Sequence, residues 1–391
     1  MKILLIVHSV SWKGGGAFFH ALHISKGLAK LGHEVSIFST SKKSLLRVNR
    51  SIVDEVKLIE FPDLLFGSAR NGWDLYNILR RCFYIRRERF DMVHALDTRP
   101  VVIFPALIAK YFFKSKLVIE WLDWFGKNGT ATERSKYIKW FMLPIETFFE
   151  EKFRKFADGS IGLGLPLTNR ALEYSPKSKV LTITHGCDID NIKTYHIEYA
   201  REKIKLNKCA YYLGYTGRLR EDVIIRLNDI VKHLNEMNIP GKIYCILIGN
   251  PAFKYQKYLD DGAKEFFITT GWITYEEVNY YMSACNILML PFNGKSVARN
   301  GIWPSKLNDY LAVGRPILCT KLDVLRETFE KYRIGFMVDD NTEHFIRKVK
   351  ELLLNEEQAN TFGVNARELA ETDFNWNRIV NKIDTFYKNI K

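Results

Sequence analysis

A chain of 391 residues with 47% hydrophobic composition is too long for one ordinary core, so two domains are expected. Its formal charge of +14 is unevenly held: residues 1–185 carry 29 Lys and Arg against 17 Asp and Glu, and residues 186–391 carry 29 against 27. Six scattered cysteines without a CxxC pair exclude a disulfide framework or zinc finger, the longest apolar runs fall well short of the ~20 residues of a membrane span, and no helix-turn-helix or RNP pattern accompanies the charge to suggest nucleic acid.

Residues 2–8 read as a buried parallel strand, cut by His8 far short of a signal-peptide core. A polar loop ending in Gly14, Gly15 and Gly16 follows. Apolar residues then recur at helical spacing over 17–31, Gly32 ends the helix, and 35–38 starts another strand. This is a βαβ unit with glycines over the first helix N-terminus, suited to close approach by a ligand or simply to a turn. DMVHAL with a helix over 100–112, KLVIEW with a helix over 134–157, DGSIGLG with a helix over 165–174, and VLTITHG continue the alternation. Basic and large apolar residues mix in RRCFYIRRERF, KYFFKSK and KYIKWFMLPIETFFEEKFRKFA. Such mixtures suit the surface of an anionic bilayer, or solvated helix faces whose aromatics pack inward.

A polar stretch between about 186 and 207 marks the start of a second domain. From Cys209 the alternation restarts with YYLGYTG, a helix near 221–235, KIYCILIGN, another helix, FFITTG, a helix over 275–284, and CNILMLP. The segment 293–320, NGKSVARNGIWPSKLNDYLAVGRPILCT, holds the densest signals. Asn300-Gly301 marks a loop, Pro304 suits the first turn of a helix, Gly314 the residue past its end, and Pro316 prevents continuation. Such a helix points its unpaired N–H groups and positive dipole end at whatever binds beyond the preceding strand, and an anion fits. Ser305, Lys306 and Asp309 share one helix face and offer a hydroxyl and a cation for a phosphate and a carboxylate for ribose hydroxyls, with a surface Lys–Asp pair as the plainer alternative. GFMVDD and two polar helical segments follow. A terminal helix closes the chain, and its basic charge matches the first domain, onto which it is expected to cross back.

In this order the chain resembles a GT-B glycosyltransferase, most similar to the retaining glycosyltransferase family 4, over nearly its whole length. The carriers are GGGAFFHALHISKGLAKLGHEV, THGCD, YTGRL, LIGN, TGWI and WPSKLNDYLAVGRPIL. The resemblance implies an α/β fold of two Rossmann-like domains facing across a cleft. Residues 1–185 plus 375–391 would form the acceptor-binding domain and 186–374 the nucleotide-sugar donor-binding domain. Arg218 would contact the donor diphosphate, with Gly217 allowing close approach. Gly249 and Asn250 would lie beside the nucleotide, Trp272 and Ile273 would form the base pocket, and Asp309 would bind the ribose. Lys306, with Gly301 and Ser305, would sit at phosphate and sugar. In the first domain Asp123 is the best candidate to touch the transferred sugar or acceptor, unless it caps a helix. His94 and Asp97 follow another strand end, and His185 lines the cleft or holds the connection between domains.

Three departures from the family pattern stand out. Gly301 replaces a glutamate that touches the donor sugar, Asp309 is shorter than the usual glutamate, and Val223 replaces a lysine at the diphosphate. Lys306, with Lys295 or Arg299, is expected to restore that charge. The resemblance further implies retaining transfer without a metal or other cofactor, the leaving diphosphate helping to deprotonate the acceptor. Asp188-Ile189-Asp190 matches a DxD metal motif only superficially. The expected partners are a nucleotide-sugar donor, a glycan or lipid-linked acceptor in cell-surface polysaccharide synthesis and, for a cytoplasmic protein, the anionic inner face of the membrane. A non-catalytic sugar-nucleotide binder or assembly partner, and a nucleotide-sugar epimerase or hydrolase, remain alternatives on the same fold.

Overall fold

A computed structural model describes residues 1–11, 16–41, 46–64, 72–133, 135–175, 178–249, 254–293, 301 and 303–390. The chain divides into two compact units, one of Met1–His185, Arg299–Trp303 and Trp376–Lys391, the other of Gly186–Ala298 and Pro304–Asn375.

The first unit runs β1 (Lys2–Val10), α1 (Gly16–Lys30), β2 (Glu34–Thr40), β3 (Asn49–Val53), β4 (Val56–Phe61), α2 (Leu75–Tyr84), β5 (Met92–Ala95), α3 (Pro100–Phe113), β6 (Lys116–Trp121), α4 (Lys136–Phe153), β7 (Gly159–Leu163), α5 (Leu165–Tyr174) and β8 (Lys179–Ile183). The strands lie in the order β3-β4-β2-β1-β5-β6-β7-β8, parallel except for β3 at the edge. Ile3 to Val7 in β1 and Leu117 to Ile119 in β6 are buried without the in-out alternation of a half-exposed strand, as a parallel sheet covered on both faces requires. The order reverses between β1 and β5, and at such a point a crevice opens beyond the carboxyl ends of the strands. The β3–β4 hairpin escapes the sequence reading because its edge strand, NRSIV, is polar and mostly exposed. Its two-residue turn places Asp54 and Glu55 at positive φ.

The second unit runs α6 (Ile197–Lys203), β9 (Tyr211–Thr216), α7 (Glu221–Glu236), β10 (Ile243–Ile248), β11 (Phe267–Thr269), α8 (Tyr275–Ala284), β12 (Ile287–Leu290), α9 (Lys306–Val313), β13 (Ile317–Thr320), α10 (Arg326–Tyr332), β14 (Gly335–Val338), α11 (Thr342–Leu354) and α12 (Glu356–Glu371). Its all-parallel sheet has the order β11-β10-β9-β12-β13-β14, so its reversal falls between β9 and β12. The helix expected between β10 and β11 is, among the described residues, two short 3-10 turns at Tyr255–Tyr258 and Lys264–Phe266.

The last helix, α13 (Trp376–Asn389), belongs to the first unit. Trp376 stacks on His23 of α1 with ring centroids 5.0 Å apart, and Asp384 accepts from His33 Nε2 at 2.8 Å. Beneath it lies a buried polar chain. Tyr387 Oη meets His94 Nδ1 at 2.7 Å, Glu120 Oε1 meets His20 Nε2 at 2.8 Å, and His20 Nδ1 meets His185 Nδ1 at 3.0 Å. Glu120 Oε2 also sits 3.0 Å from His94 Nε2, a close contact not aligned as a hydrogen bond.

Candidate functional site

In the second unit the end of β9 delivers Tyr215 and Thr216 to the reversal point, and the chain turns away through Gly217 at φ +82°. A side chain there would be strained and would reach within 3.6 Å of Lys306 Cε, so glycine keeps the backbone open beside that lysine. Lys306, the first residue of α9, donates to Tyr215 Oη at 2.7 Å, and Tyr215 Oη donates to the Arg218 carbonyl at 3.0 Å. One turn on, the buried Tyr310 hydroxyl accepts the Thr216 N–H at 3.0 Å and donates to the Met289 carbonyl at 3.3 Å. One side chain therefore ties α9 to both strands that flank the crevice, which sets the helix N-terminus at their carboxyl ends.

Burial governs the electrostatics there. Burial pushes the Lys306 ammonium down to about 7, with Asp309 opposing and Arg220 adding to the effect. Burial pushes Asp309 up to about 7, with Asp188 adding and Lys306 opposing. Among the described residues the Asp309 carboxylate accepts no hydrogen bond and makes no ion pair, so Lys306 donates to Tyr215 and acts on Asp309 only through space. The exposed Arg218 guanidinium likewise has no partner among the described residues. A free fork of N–H donors, an ammonium and an open carboxylate can together hold a diphosphate and a diol.

The remaining donor-side residues divide. Ser305 precedes α9, exposed and making no cap bond, while Pro304 lies just before the helix and accepts the Leu307 N–H at 2.9 Å. The Gly249 N–H donates to Thr270 Oγ1 at 3.0 Å beside β10. Trp272 is 86% exposed and Ile273 half-buried at the exit from β11, two strands away from β9. Gly301 requires a correction, since it groups with the first unit and not with the donor residues. It is buried at φ +59°, and a Cβ there would lie 2.7 Å from Pro166 Cβ, so no sugar-touching side chain fits. Val223 is fully buried in the first turn of α7, so a lysine there would have to enter the core. Gly14, Gly15, Asn250, Lys295 and Arg299 lie outside the described residues, and Gly16 opens α1 in an exposed position. Asp188 accepts from the Asn191 side chain at 2.9 and 3.0 Å. Among the described residues no group of three His, Cys, Asp or Glu could hold a metal ion.

In the first unit, Asp97 and Asp123 stand just past the ends of β5 and β6. Asp123 makes no helix cap and is pushed up to about 6 by burial, Arg99 opposing and Asp97 and Glu150 adding. His94 also requires correction, because it is fully buried inside β5 and engaged by Tyr387 and Glu120, which makes it framework. His185 is held against His20, and burial pushes its imidazole down to about 3. His8 and Arg99, for which no site role was expected, also stand at this reversal point. The available signal was a histidine interrupting an apolar strand near its carboxyl end. A cavity of about 890 Å³ in the second unit opens near Asn286, Arg315 and Pro316, at the amino ends of the strands. The Arg315 and Arg201 guanidinia there are bound mainly to backbone carbonyls.

Residues 14–191 match the family model described as Glycosyltransferase Family 4, and residues 210–355 the one described as Glycosyl transferases group 1. Spore coat protein SA of Bacillus subtilis (strain 168) is 21% identical, with 99% of each chain covered. Sucrose-phosphate synthase from Thermosynechococcus elongatus has a similar structure, with TM-score 0.77, 16% identity and coverage of 100% of this chain and 99% of that one. WaaG, a glycosyltransferase involved in lipopolysaccharide biosynthesis, gives TM-score 0.71 at 14% identity with 100% and 99% covered. Anabaena Alr3699/HepE, solved with UDP and glucose, gives TM-score 0.69 at 16% identity with both chains fully covered.

Proposed function

Because the chain is a glycosyltransferase of GT-B fold, of family 4 type in its first half and group 1 type in its second, we propose that it moves a sugar from a nucleotide-sugar donor to a glycan or lipid-linked glycan in cell-surface polysaccharide synthesis. The observation that carries the donor half is the N-terminus of α9, clamped by Tyr310 at the β9–β12 reversal and bordered by Lys306, Arg218 and the unoccupied acceptor Asp309. Alr3699/HepE was solved with UDP-glucose and WaaG acts in lipopolysaccharide synthesis, which supports this class of donor and acceptor.

As the bond between the sugar and the diphosphate breaks, negative charge grows on the leaving oxygens. The Arg218 guanidinium, the Lys306 ammonium and the amides opening α9 face that charge and stabilise it more in the transition state than in the ground state. Asp309 accepts two ribose hydroxyls. Transfer proceeds with retention, the leaving phosphate taking the proton of the attacking hydroxyl, and these cationic donors supply the charge compensation that a metal would otherwise give.

The protein also docks on an anionic membrane surface through α4. Its outward stripe shows Tyr137 at 87% and Trp140 at 81% exposure, with Phe141, Phe148, Lys136, Lys139 and Lys152 also exposed, while Phe149 packs inward against Trp73. Among the described residues no helix is long and apolar enough to cross a membrane.

A thermal-shift screen of nucleoside diphosphates and nucleotide sugars tests the donor reading. One of them at a hundred times its Kd should stabilise the protein by about 2.7 kcal/mol, and Asp309→Asn and Arg218→Ala should remove that shift. A screen without any shift, or one unchanged in both variants, overturns it. Gly301, in place of the glutamate that the family resemblance led us to expect, favours a second reading as a binder without turnover. Release of free sugar from the stabilising donor excludes that reading.

A further inference from the structure

The cavity of about 890 Å³ in the second unit has no part in the glycosyl-transfer reading, and its volume is that of a small-molecule site. Tyr211, Asn286 and Pro316 line it where β9, β12 and β13 begin, so it lies at the opposite ends of the strands from Lys306 and Arg218. β9 alone separates the two ends by roughly 17 Å. α12 forms one long wall, from Glu356 to Glu371. Gly363 lets that helix lie close, since a Cβ there would meet the Gly314 carbonyl oxygen at 2.7 Å.

Two guanidinia reach this cavity without a counter-ion. Arg201 of α6 donates to the Ala284 carbonyl at 3.1 Å, the Lys208 carbonyl at 2.9 Å and the Asn286 side-chain oxygen at 2.7 Å. Arg315, between α9 and β13, donates through Nε to the Ser283 carbonyl at 2.9 Å and through Nη2 to the Ser283 and Tyr195 carbonyls at 2.7 Å. Among the described residues its Nη1 has no hydrogen-bond partner and is not sealed from solvent, and neither arginine makes an ion pair. Carbonyls satisfy N–H groups but cancel no charge. Burial pushes Arg315 down to about 10, with Cys285 opposing and Arg201 adding. Burial pushes Cys285 itself up to about 12, so it stays a neutral thiol at pH 7 and neutralises neither arginine.

Elsewhere on the lining, Glu198, Glu356 and Glu368 are exposed, and among the described residues their carboxylates make no hydrogen bond or ion pair. A guanidinium pair holds a phosphate through its fork of donors. The carboxylates accept hydroxyls and disfavour a ligand of higher negative charge, such as a nucleoside diphosphate or triphosphate. A phosphate monoester on a polyol body meets both conditions.

We propose that this cavity is a second ligand site that binds a phosphorylated sugar, its phosphate on Arg201 and Arg315 and its hydroxyls on the glutamates. The site lies beyond the donor reading and does not depend on it.

The test is calorimetric titration of the full chain with the 1-phosphates and 6-phosphates of glucose, galactose and mannose, beside inorganic phosphate and the free hexoses, with hydrogen exchange on the same mixtures. At least one hexose phosphate should bind at least tenfold more tightly than inorganic phosphate or its free hexose and give its largest protection at residues 197–203, 283–288, 313–317 and 356–368. Arg315→Lys keeps the charge and loses the fork, and Ala359→Phe fills the cavity beside α12 without altering an arginine. Each should weaken binding at least tenfold while cooperative melting is retained. No binding by any hexose phosphate, affinity no better than that of inorganic phosphate, protection confined to 215–220 and 305–310, or affinity unchanged in both variants each overturns the proposal. Should Arg315→Lys no longer melt cooperatively, it has misfolded and Ala359→Phe decides; should both fail to melt so, the exchange pattern of the unaltered protein decides. Because exchange reads the two ends of the sheet separately, a failure here is distinguishable from a failure of the donor reading.

Discussion

Lys306 and Asp309 are held near 7 from opposite sides by the same cause, burial without mutual pairing. For Lys306 the consequence has a definite sign. Its charged form is lost as pH rises through the folded value, and a diphosphate beside it restores that form, so binding takes up a proton. Between pH 8 and 9, where Asp309 is already ionised, nucleotide affinity should fall by up to about tenfold per pH unit. Lys306→Arg, which stays charged, should flatten the profile. Calorimetry in two buffers of different ionisation heat measures both affinity and proton uptake, and a flat profile in the unaltered protein would refute the role given to Lys306. Lys306 and Asp309 could be singled out by their spacing within one turn, whereas Gly217 and Arg218 were singled out only through the family resemblance. Tyr310 and His8 were not legible, because their partners stand 94 and 89 residues away and only the packed fold brings them together. Gly301 misled for the same reason, since the Pro166 ring that excludes a side chain there is far off in sequence.

At the scale of elements, apolar runs bounded by glycine announced the buried strands, because a parallel strand covered on both faces has no other way to be written. The polar edge hairpin and the turns between β10 and β11 lacked that signal. α4 could be read either way, since sequence spacing cannot tell an inward aromatic stripe from an outward one. The fold shows both, because Met142, Glu146 and Glu150 are buried and Phe149 and Phe153 pack inward while Trp140 and Phe141 are exposed. Burying one such side chain at a lipid interface is worth roughly 1.5–3 kcal/mol. Trp140→Ser combined with Phe141→Ser should therefore lower partitioning onto vesicles of phosphatidylglycerol and phosphatidylcholine at least tenfold in sedimentation assays, leaving the nucleotide shift intact. Added salt should weaken the binding that remains, through the lysines. Equal partitioning of variant and parent would remove α4 as the docking face.

Over the whole molecule, the two units repeat one topological device. Each sheet reverses its strand order beside its first strand, β1 or β9, and each reversal gathers functional groups past the carboxyl ends. Both reversal points mix signs, the strongly basic first half setting Asp97 and Asp123 with Arg99 and the nearly neutral second half setting Lys306 and Arg218 with Asp309. Net charge thus reports what the surface meets, and the local set reports what the crevice holds. Hydrogen exchange can separate the two crevices. The amides that open α9 lack the full intrahelical bonding of later turns and should exchange readily until an anion accepts them. Adding the nucleoside diphosphate that stabilises most should give its largest protection at residues 215–220 and 305–310, and a methyl glycoside of the acceptor sugar should give its largest protection at 7–9, 95–99 and 121–126. Were the nucleotide to protect the first unit's strand ends most, the division of donor and acceptor between the units would have to be reversed.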